Sequence, residues 1–185
     1  YIAADCTGHG VPGAFMSMLG ISFLDELILR REIDSPSEIL EELRKQKKHS
    51  LSQKGGFGEQ KDGMDMAVVI FDEKQMKIQY AGAYNPLFLF RNNELIEYKA
   101  TRNPVGVYAK EIPFQNHEIE LRKDDVLYIF TDGYYDQFGG ESGQKYKSKN
   151  FKSLLAEIHT KPLEDQKVLL EEELERWKNN NYTQL

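Results

Sequence analysis

The sequence has 185 residues, of which 40% are hydrophobic and 29% charged, a composition that fits one folded domain (1–185) with a single large core. Its net charge of −6 at pH 7 argues against a nucleic-acid partner, because such proteins usually present a basic face. A single cysteine excludes an internal disulfide and fits a reducing, cytoplasmic compartment. No uninterrupted apolar run approaches the roughly 18 to 20 residues that cross a bilayer.

The chain opens on YIAAD, which predicts a buried strand that ends at Asp5. A loop, Cys6 to Gly10, and a helix from Val11 to about Arg31 follow. Apolar residues recur in that helix at spacings of three and four, which predicts a buried stripe of Phe15, Met18, Leu19, Phe23, Leu27 and Ile28. Because the sequence lacks an initial Met and starts partway along a strand, we expect a fragment of a longer protein.

A second helix is predicted from the capping pattern Ser35-Pro36-Ser37-Glu38 to about Leu51. A polar stretch, Ser52 to Gly63, leads into short strands with turn-like connections, which favour antiparallel meanders over βαβ units. The strands are expected at 64–71, 77–83, 86–90, 94–98, 118–121 and 126–131, with hairpin turns at 91–93 and 122–125.

Beyond the strands, the stretch from Gly139 to Lys149 is predicted to be a loop or flap. Helices are expected at 151–158 and from Pro162, the latter with an apolar face of Val168, Leu169, Leu170, Leu174 and Trp177. A helix pair, antiparallel strands and a second helix pair together predict an α+β layered sandwich.

Two acids follow apolar strands in glycine-rich surroundings, Asp5 in AADCTGHG and Asp132 in LYIFTDGYYDQ. Their carboxylates suit Mg²⁺ or Mn²⁺, although Asp-Gly is also an ordinary turn dipeptide. The loop DCTGHGVPGAF lacks the Lys-Ser/Thr of a P-loop, so nucleotide binding has little support. A phosphate cradle, a metal site and a plain strand-to-helix turn each fit it.

Five stretches in order, ADCTGHGVPGAFMSMLG, DGMDMAVVIFD, YAGAYNPLFLFRNNELIEY, NPVGVY and DDVLYIFTDGYYDQFGG, resemble the SpoIIE/RsbU-type branch of the metal-dependent serine/threonine protein phosphatases, the PPM superfamily. The resemblance covers essentially the whole chain. It implies two stacked antiparallel β-sheets flanked by helical layers on both sides. It also implies two Mn²⁺ or Mg²⁺ ions whose shared water attacks a phosphoserine or phosphothreonine in line.

Carried over by motif, Asp5 would bridge the two ions, the backbone carbonyl of Cys6 would bind the second, and Asp132 would hold one of them. Asp62 and Asp65 lie where some PPM enzymes bind a third ion, although a capped strand entry also explains them. His9 is a candidate acid or base, but its Asp-x-x-x-His spacing departs from the Asp-x-His of other branches. Cys6 has no organised base and is a poor candidate nucleophile.

Two further acidic motifs of the family, one upstream of Asp5 and one after the last helix, have no counterpart here, so we expect truncation at both ends and weak or absent activity of this chain. The resemblance implies the phosphatase output module of a bacterial signalling protein, cytoplasmic or membrane-tethered through its parent. Implied partners are a phosphorylated regulator such as an anti-sigma-factor antagonist, an upstream sensor and a second copy, with contacts on the first two helices. The alternative is a non-catalytic regulatory or interaction module.

Overall fold

The computed structural model describes residues 1–30, 33–51 and 63–178. The polar stretch expected from Ser52 falls outside these ranges up to residue 62. The fold is mixed α+β, with antiparallel strands and helices. In chain order the elements are β1 (Ile2–Cys6), α1 (Gly10–Arg30), α2 (Pro36–Ser50), β2 (Met64–Asp72), β3 (Lys77–Ala83), β4 (Leu87–Arg91), β5 (Glu94–Tyr98), β6 (His117–Glu120), β7 (Val126–Ile129), β8 (Phe138–Gly139), β9 (Gln144–Lys145), α3 (Lys147–Ile158) and α4 (Leu163–Lys178).

The strands of the described chain are arranged in three sheets. The largest has the order β1–β2–β3–β6 with antiparallel neighbours, another has the order β5–β4–β7, and β8 pairs with β9. The hairpin predicted around 122–125 is wrong, because β6 and β7 belong to different sheets. A short polar connection does not reveal whether its two strands pair or diverge.

The chain divides into two compact units. The first comprises Tyr1–Phe88, Glu97–Lys123 and Leu127–Thr131, and the second comprises Leu89–Ile96, Asp124–Val126 and the chain from Asp132 on. The first unit contains the four-stranded sheet together with α1 and α2, and the second contains β8, β9, α3 and α4.

Helix α2 begins as its capping pattern predicts. Ser35 has extended backbone, and its side-chain oxygen accepts a hydrogen bond from the backbone N–H of Glu38 at 3.3 Å. Its apolar side packs against the four-stranded sheet and forms the core of the first unit with residues of α1, β2 and β3. The fully buried members of this core include Leu40, Leu43, Met66, Ala81, Ala83 and Val105.

The buried side of α1 differs from the predicted stripe. Met16 and Leu27 are buried, whereas Phe15, Met18 and Ile28 are 63%, 66% and 57% exposed. The helix is apolar on nearly all sides, so periodicity alone does not select the face that packs.

Helix α1 is also long and apolar enough to cross a membrane by length and composition. Its residues Gly10–Leu29 have a mean hydropathy of 1.4, and 22% of that window is buried. The segment is not an uninterrupted apolar run of the kind excluded from the sequence, because it includes Ser17, Ser22, Asp25 and Glu26. Core helices and signal sequences pass the same test, so this property is weak evidence for a membrane span.

The second unit corrects two expectations. Part of the predicted loop from Gly139 to Lys149 forms the β8–β9 ribbon and the first turn of α3. In α4, Val168 is 50% exposed instead of lying on the packed face. Trp177 packs against Gly139 and Gly140, and its indole N–H donates to the carbonyl of Gln137 at 3.1 Å.

One ion pair connects α2 to the loop that precedes β6. Lys48 Nζ lies 2.9 and 3.0 Å from the two carboxylate oxygens of Glu111. Burial raises the pKa of Glu111, but the hydrogen bond and the positive charge of Lys48 outweigh it, so the pKa is lowered. A carboxyl whose pKa is depressed on folding contributes stability above its unfolded pKa and loses it as the pH falls through its folded pKa.

We therefore expect Glu111→Gln to lower the free energy of unfolding by about 0.5–1 kcal/mol at pH 7. The difference from the unsubstituted chain should shrink as the pH falls through the lowered pKa of the folded-state carboxyl and vanish once that carboxyl is protonated. Urea unfolding at several pH values measures both effects. Glu42→Gln is the matched control, because Glu42 pairs with Lys45 on the exposed side of the same helix. An equal loss in both variants would contradict the prediction.

Candidate functional site

The register between β1 and β2 brings two carboxylates together. Asp5 is the direct partner of Asp65 in this antiparallel pair, and Ala3 is the partner of Ala67. Directly opposed residues point to the same face with Cβ atoms about 4.5–5.5 Å apart. Met64 and Met66 alternate with Asp65 and belong to the core beneath the helices, so both carboxylates lie on the sheet face opposite α1 and α2.

Two hydrogen bonds join the glycine-rich loop after Asp5 to the residue that precedes β2. Thr7 N–H donates to the carbonyl of Gly63 at 3.0 Å, and Gly63 N–H donates to the Thr7 hydroxyl at 3.1 Å. Gly8 has a φ of +103°, a conformation that favours glycine. A Cβ on Gly13 would lie 2.6 Å from the Gly8 carbonyl oxygen, so the loop and the first turn of α1 meet backbone to backbone.

Cys6 and His9 occupy different environments in this loop. The half-buried side chain of Cys6 packs against the hydrophobic core, which directs its thiol away from the Asp5 face. His9 is exposed and immediately precedes α1.

Asp132 belongs to the second unit, in the segment that follows β7. It is half-buried, and its carbonyl accepts a hydrogen bond from the backbone N–H of Asp136 at 2.9 Å. The Asp136 carboxylate pairs with Lys145 at 2.6 Å. Asp62, the other candidate for a third ion, lies outside the described residues.

Three residues that the sequence analysis did not select lie near the Asp5–Asp65 pair. Tyr84 directly follows Ala83, the last residue of β3 and the partner of Met66, and it lies close enough to Asp65 for that charge to act on it. A hydrogen bond with the Tyr108 hydroxyl, and then partial burial, raise the pKa of Tyr84 to about 12, and the charges of Asp65 and Arg102 also act on it. The signal in the sequence was that Tyr84 and Tyr108 lie within two of the stretches that carry the family resemblance, YAGAYNPLFLFRNNELIEY and NPVGVY.

The end of the β1–β2 pair that carries Asp5 and Asp65 is called the acidic edge below. Its donor atoms suit a hard divalent cation, for which they would supply part of the ligand set. Asp5 and Asp65 supply carboxylate oxygens, the type of ligand that Mg²⁺ and Mn²⁺ prefer. Among the residues that the structure describes, no group of three or more His, Cys, Asp or Glu side chains is placed to hold an ion. The two carboxylates therefore form a partial site.

The model of the family described as stage II sporulation protein E (SpoIIE) matches residues 1–183. The chain belongs to the SpoIIE family. Among solved structures, it is similar to the SiaA-PP2C domain of Pseudomonas aeruginosa, with 29% identity and a TM-score of 0.83, over 96% of this chain and 67% of that chain. These matches confirm the resemblance to SpoIIE/RsbU-type PPM phosphatases and the α+β fold class.

Two further structures share the fold. The RsbU and RsbW domains of a Mycobacterium tuberculosis protein match with 23% identity and a TM-score of 0.70, over 95% of this chain and 46% of that one. The PP2C domain with a regulatory fragment of SpoIIE from Bacillus subtilis matches with 19% identity and a TM-score of 0.67, over 95% and 47%. The chain thus spans about two thirds of the first structure and under half of these two. No curated protein matches this SpoIIE-family chain in sequence.

Substitution of two glycines in α1 tests whether the helix contacts the backbone of the loop at Gly8. In Gly13→Ala the added Cβ meets the Gly8 backbone, whereas in Gly20→Ala it meets the flexible end of the Met64 side chain at 2.8 Å. We expect Gly13→Ala to destabilise the fold by about 1–3 kcal/mol. For Gly20→Ala, helix propensity gains up to about 1 kcal/mol and offsets the crowding. Chemical unfolding of both variants measures this, and equal effects would contradict the backbone contact.

Proposed function

We propose that this chain is the catalytic domain of a metal-dependent protein phosphatase that hydrolyses phosphoserine or phosphothreonine on a regulatory protein. In its parent protein it would be the output module of a bacterial signalling pathway. The observation that carries the proposal is the pairing of Asp5 with Asp65 beside the glycine loop. Membership of the SpoIIE family supports it.

The residues of this edge suit the reaction. Asp5 and Asp65 would hold divalent ions, and we extend the ligand set by family resemblance to the Cys6 carbonyl and Asp132. Such ions, when bound, lower the pKa of a coordinated water and stabilise charge on a phosphoryl group. The bare backbone of Gly8 and Gly10 leaves room for a phosphoryl group near the carboxylates. In the overall reaction, water cleaves the P–O bond, and the seryl or threonyl hydroxyl and inorganic phosphate leave.

The chain on its own is expected to turn over slowly. Affinity for divalent ions grows with the number of charged ligands, and the described residues place two carboxylates on this face. Mn²⁺ and Mg²⁺ are both compatible with oxygen ligands. A chain that binds a phosphorylated protein without hydrolysing it would support the alternative, a non-catalytic regulatory module.

We expect Asp5→Asn to reduce Mn²⁺-dependent hydrolysis of an aryl phosphate by about two orders of magnitude, because loss of a direct ligand exceeds the roughly 10–100-fold effect of outer-shell groups. Asp65→Asn should lower it about tenfold or more. Asp72→Asn is the matched control, since Asp72 lies at the other end of β2 and caps a turn through Gln75 N–H. Removing the metal with a chelator should abolish turnover. Activity retained in Asp5→Asn would refute the assignment.

The partners that we propose are the phosphorylated regulator, such as an anti-sigma-factor antagonist, an upstream sensor domain and a second copy of the chain. Helix α1 supports contacts of this kind, because it exposes large apolar side chains along one side. These are Val11, Phe15, Met18, Ile21, Ile28 and Leu29, each 57–80% exposed. Isolated exposed apolar residues are common, but a row of six on one helix is typical of a contact surface.

If α1 mediates self-association, the double variant Phe15→Ser/Met18→Ser should sediment as a monomer at concentrations where the unsubstituted chain forms dimers. The reason is that burying each side chain contributes about 1.5–3 kcal/mol. Val168→Ser, on an exposed site of α4, is the control and should not change the mass. A monomeric unsubstituted chain at high concentration would reject self-association and leave the sensor as the occupant of this face.

A further inference from the structure

The turn at Tyr84 holds a bulky residue in an unusual conformation. Tyr84 has a φ of +60°, a region that non-glycine residues other than Asn and Asp rarely adopt. Asn85 N–H donates to the carbonyl of Ala83 at 2.8 Å, so Tyr84 is the central residue of a three-residue turn with positive φ. This turn type is rare and strained. Strain of this kind persists where the surroundings enforce it, and it is concentrated at functional sites.

The surroundings of Tyr84 do enforce the turn. The fully buried Tyr80 donates its hydroxyl to the carbonyl of Asn85 at 2.7 Å. Its ring reaches that carbonyl across Gly82, where any Cβ would overlap the hydroxyl. On the other side, Tyr84 N–H donates to the carbonyl of Thr101 at 3.0 Å. The strained residue is thus fixed by buried groups on both sides.

The ring of Tyr84 is directed to the surface next to the carboxylate pair. Tyr84 and Tyr108 are 39% and 40% exposed, although their hydroxyls are joined by a hydrogen bond. Arg102 is exposed, and it directly follows Thr101, whose carbonyl accepts the hydrogen bond from Tyr84 N–H. Asp65 is close enough for its charge to act on Tyr84. The Arg102 guanidinium and the side chains of Tyr84 and Tyr108 therefore lie beside the carboxylate of Asp65.

The loop that carries Tyr108 is itself held in place. Asn103 is 1% exposed, accepts from Ile112 N–H at 2.9 Å and donates to the carbonyls of Arg102 and Lys110 at 2.7 and 3.3 Å. Val105 exchanges backbone hydrogen bonds of 3.1 and 2.8 Å with Met64, the neighbour of Asp65. The rim is therefore preorganised and does not depend on a mobile loop.

We propose that Tyr84, Tyr108 and Arg102 form a recognition rim for a phosphorylated polypeptide, beside the Asp5–Asp65 pair. This inference rests on the proposed phosphatase function and assigns its substrate contacts. Arg102 supplies the fixed positive charge that a phosphomonoester dianion requires near two carboxylates. The tyrosines supply rigid rings and hydroxyls for the peptide on either side of the phosphorylated residue.

The test is fluorescence anisotropy of a labelled phosphoserine peptide and its unphosphorylated counterpart, titrated with the full chain in Mn²⁺. Arg102→Ala should weaken binding of the phosphopeptide about tenfold or more and leave the unphosphorylated peptide unchanged. Arg122→Ala is the control, because Arg122 follows Leu121, which bonds to Met76 at the opposite end of β3. Equal binding of the two peptides by the unsubstituted chain, or an unchanged Arg102→Ala, would overturn the proposal.

Tyr84→Asn separates recognition from folding. Asn tolerates positive φ, so thermal stability should stay the same or rise, while both peptides should bind several-fold more weakly because the ring is lost. Tyr84→Phe removes the hydroxyl and keeps the ring. Its control is Tyr98→Phe, which removes a hydroxyl elsewhere in the same unit. If Tyr84→Asn binds both peptides as the unsubstituted chain does, the tyrosine part of the rim is wrong.

The same titrations distinguish failure of this inference from failure of the proposed function. Binding that depends on Arg102, without release of phosphate, would keep the rim and reject the phosphatase activity. Phosphate release that is indifferent to Arg102, Tyr84 and Tyr108 would keep the activity and reject the rim.

Discussion

The pairing of β1 with β2 is the constraint on which the candidate site depends. Two like charges placed directly opposite each other in a sheet are unfavourable, yet Asp5 faces Asp65. The register is imposed from the other face of the strand, where Met64, Met66 and Val68 fill the core under α1 and α2. A shift of one residue would turn Asp65 into that core and expose the methionines. The hydrophobic core thus holds the two carboxylates opposite each other, where a bound cation would contact both.

The irregular backbone of the first unit is concentrated at the same end of these strands. Gly8 and Gly10 have positive φ just after Asp5, and Tyr84 has positive φ just after β3. Regular elements surround both places, with a capped α2 and a continuous β2–β3 ladder. Met76, in the turn before β3, also has positive φ, but the other three positive-φ residues described in this unit lie where the carboxylates do, as expected when irregularity serves a site.

Local signals in the sequence predicted much of the fold. The cap at Ser35, the bounds of β3 and β5, and the hairpin turn at 91–93, where Asn92 and Asn93 have positive φ, all follow from short-range chemistry and are confirmed. The packed face of α1 and the separation of β6 from β7 depend on contacts distant in sequence. Likewise, Asp5 was selected from its loop, but its pairing with Asp65 depends on a register between segments about sixty residues apart. Nothing local marks Tyr84 or Arg102 as neighbours of that pair.

Charge couples the binding of the two ligands that are proposed for the acidic edge, a divalent cation and a phosphorylated polypeptide. A phosphomonoester dianion that approaches Asp5 and Asp65 alone is repelled, and one guanidinium at Arg102 offsets only part of that charge. On the proposed function, a bound divalent cation and a phosphorylated ligand would therefore strengthen each other's binding. Thermodynamic linkage makes this coupling reciprocal, so the phosphorylated ligand raises the affinity for the cation by the same factor. A site with few carboxylates would in this way be occupied mainly when its substrate is present, and the proposed phosphate recognition at the rim would be part of cation retention.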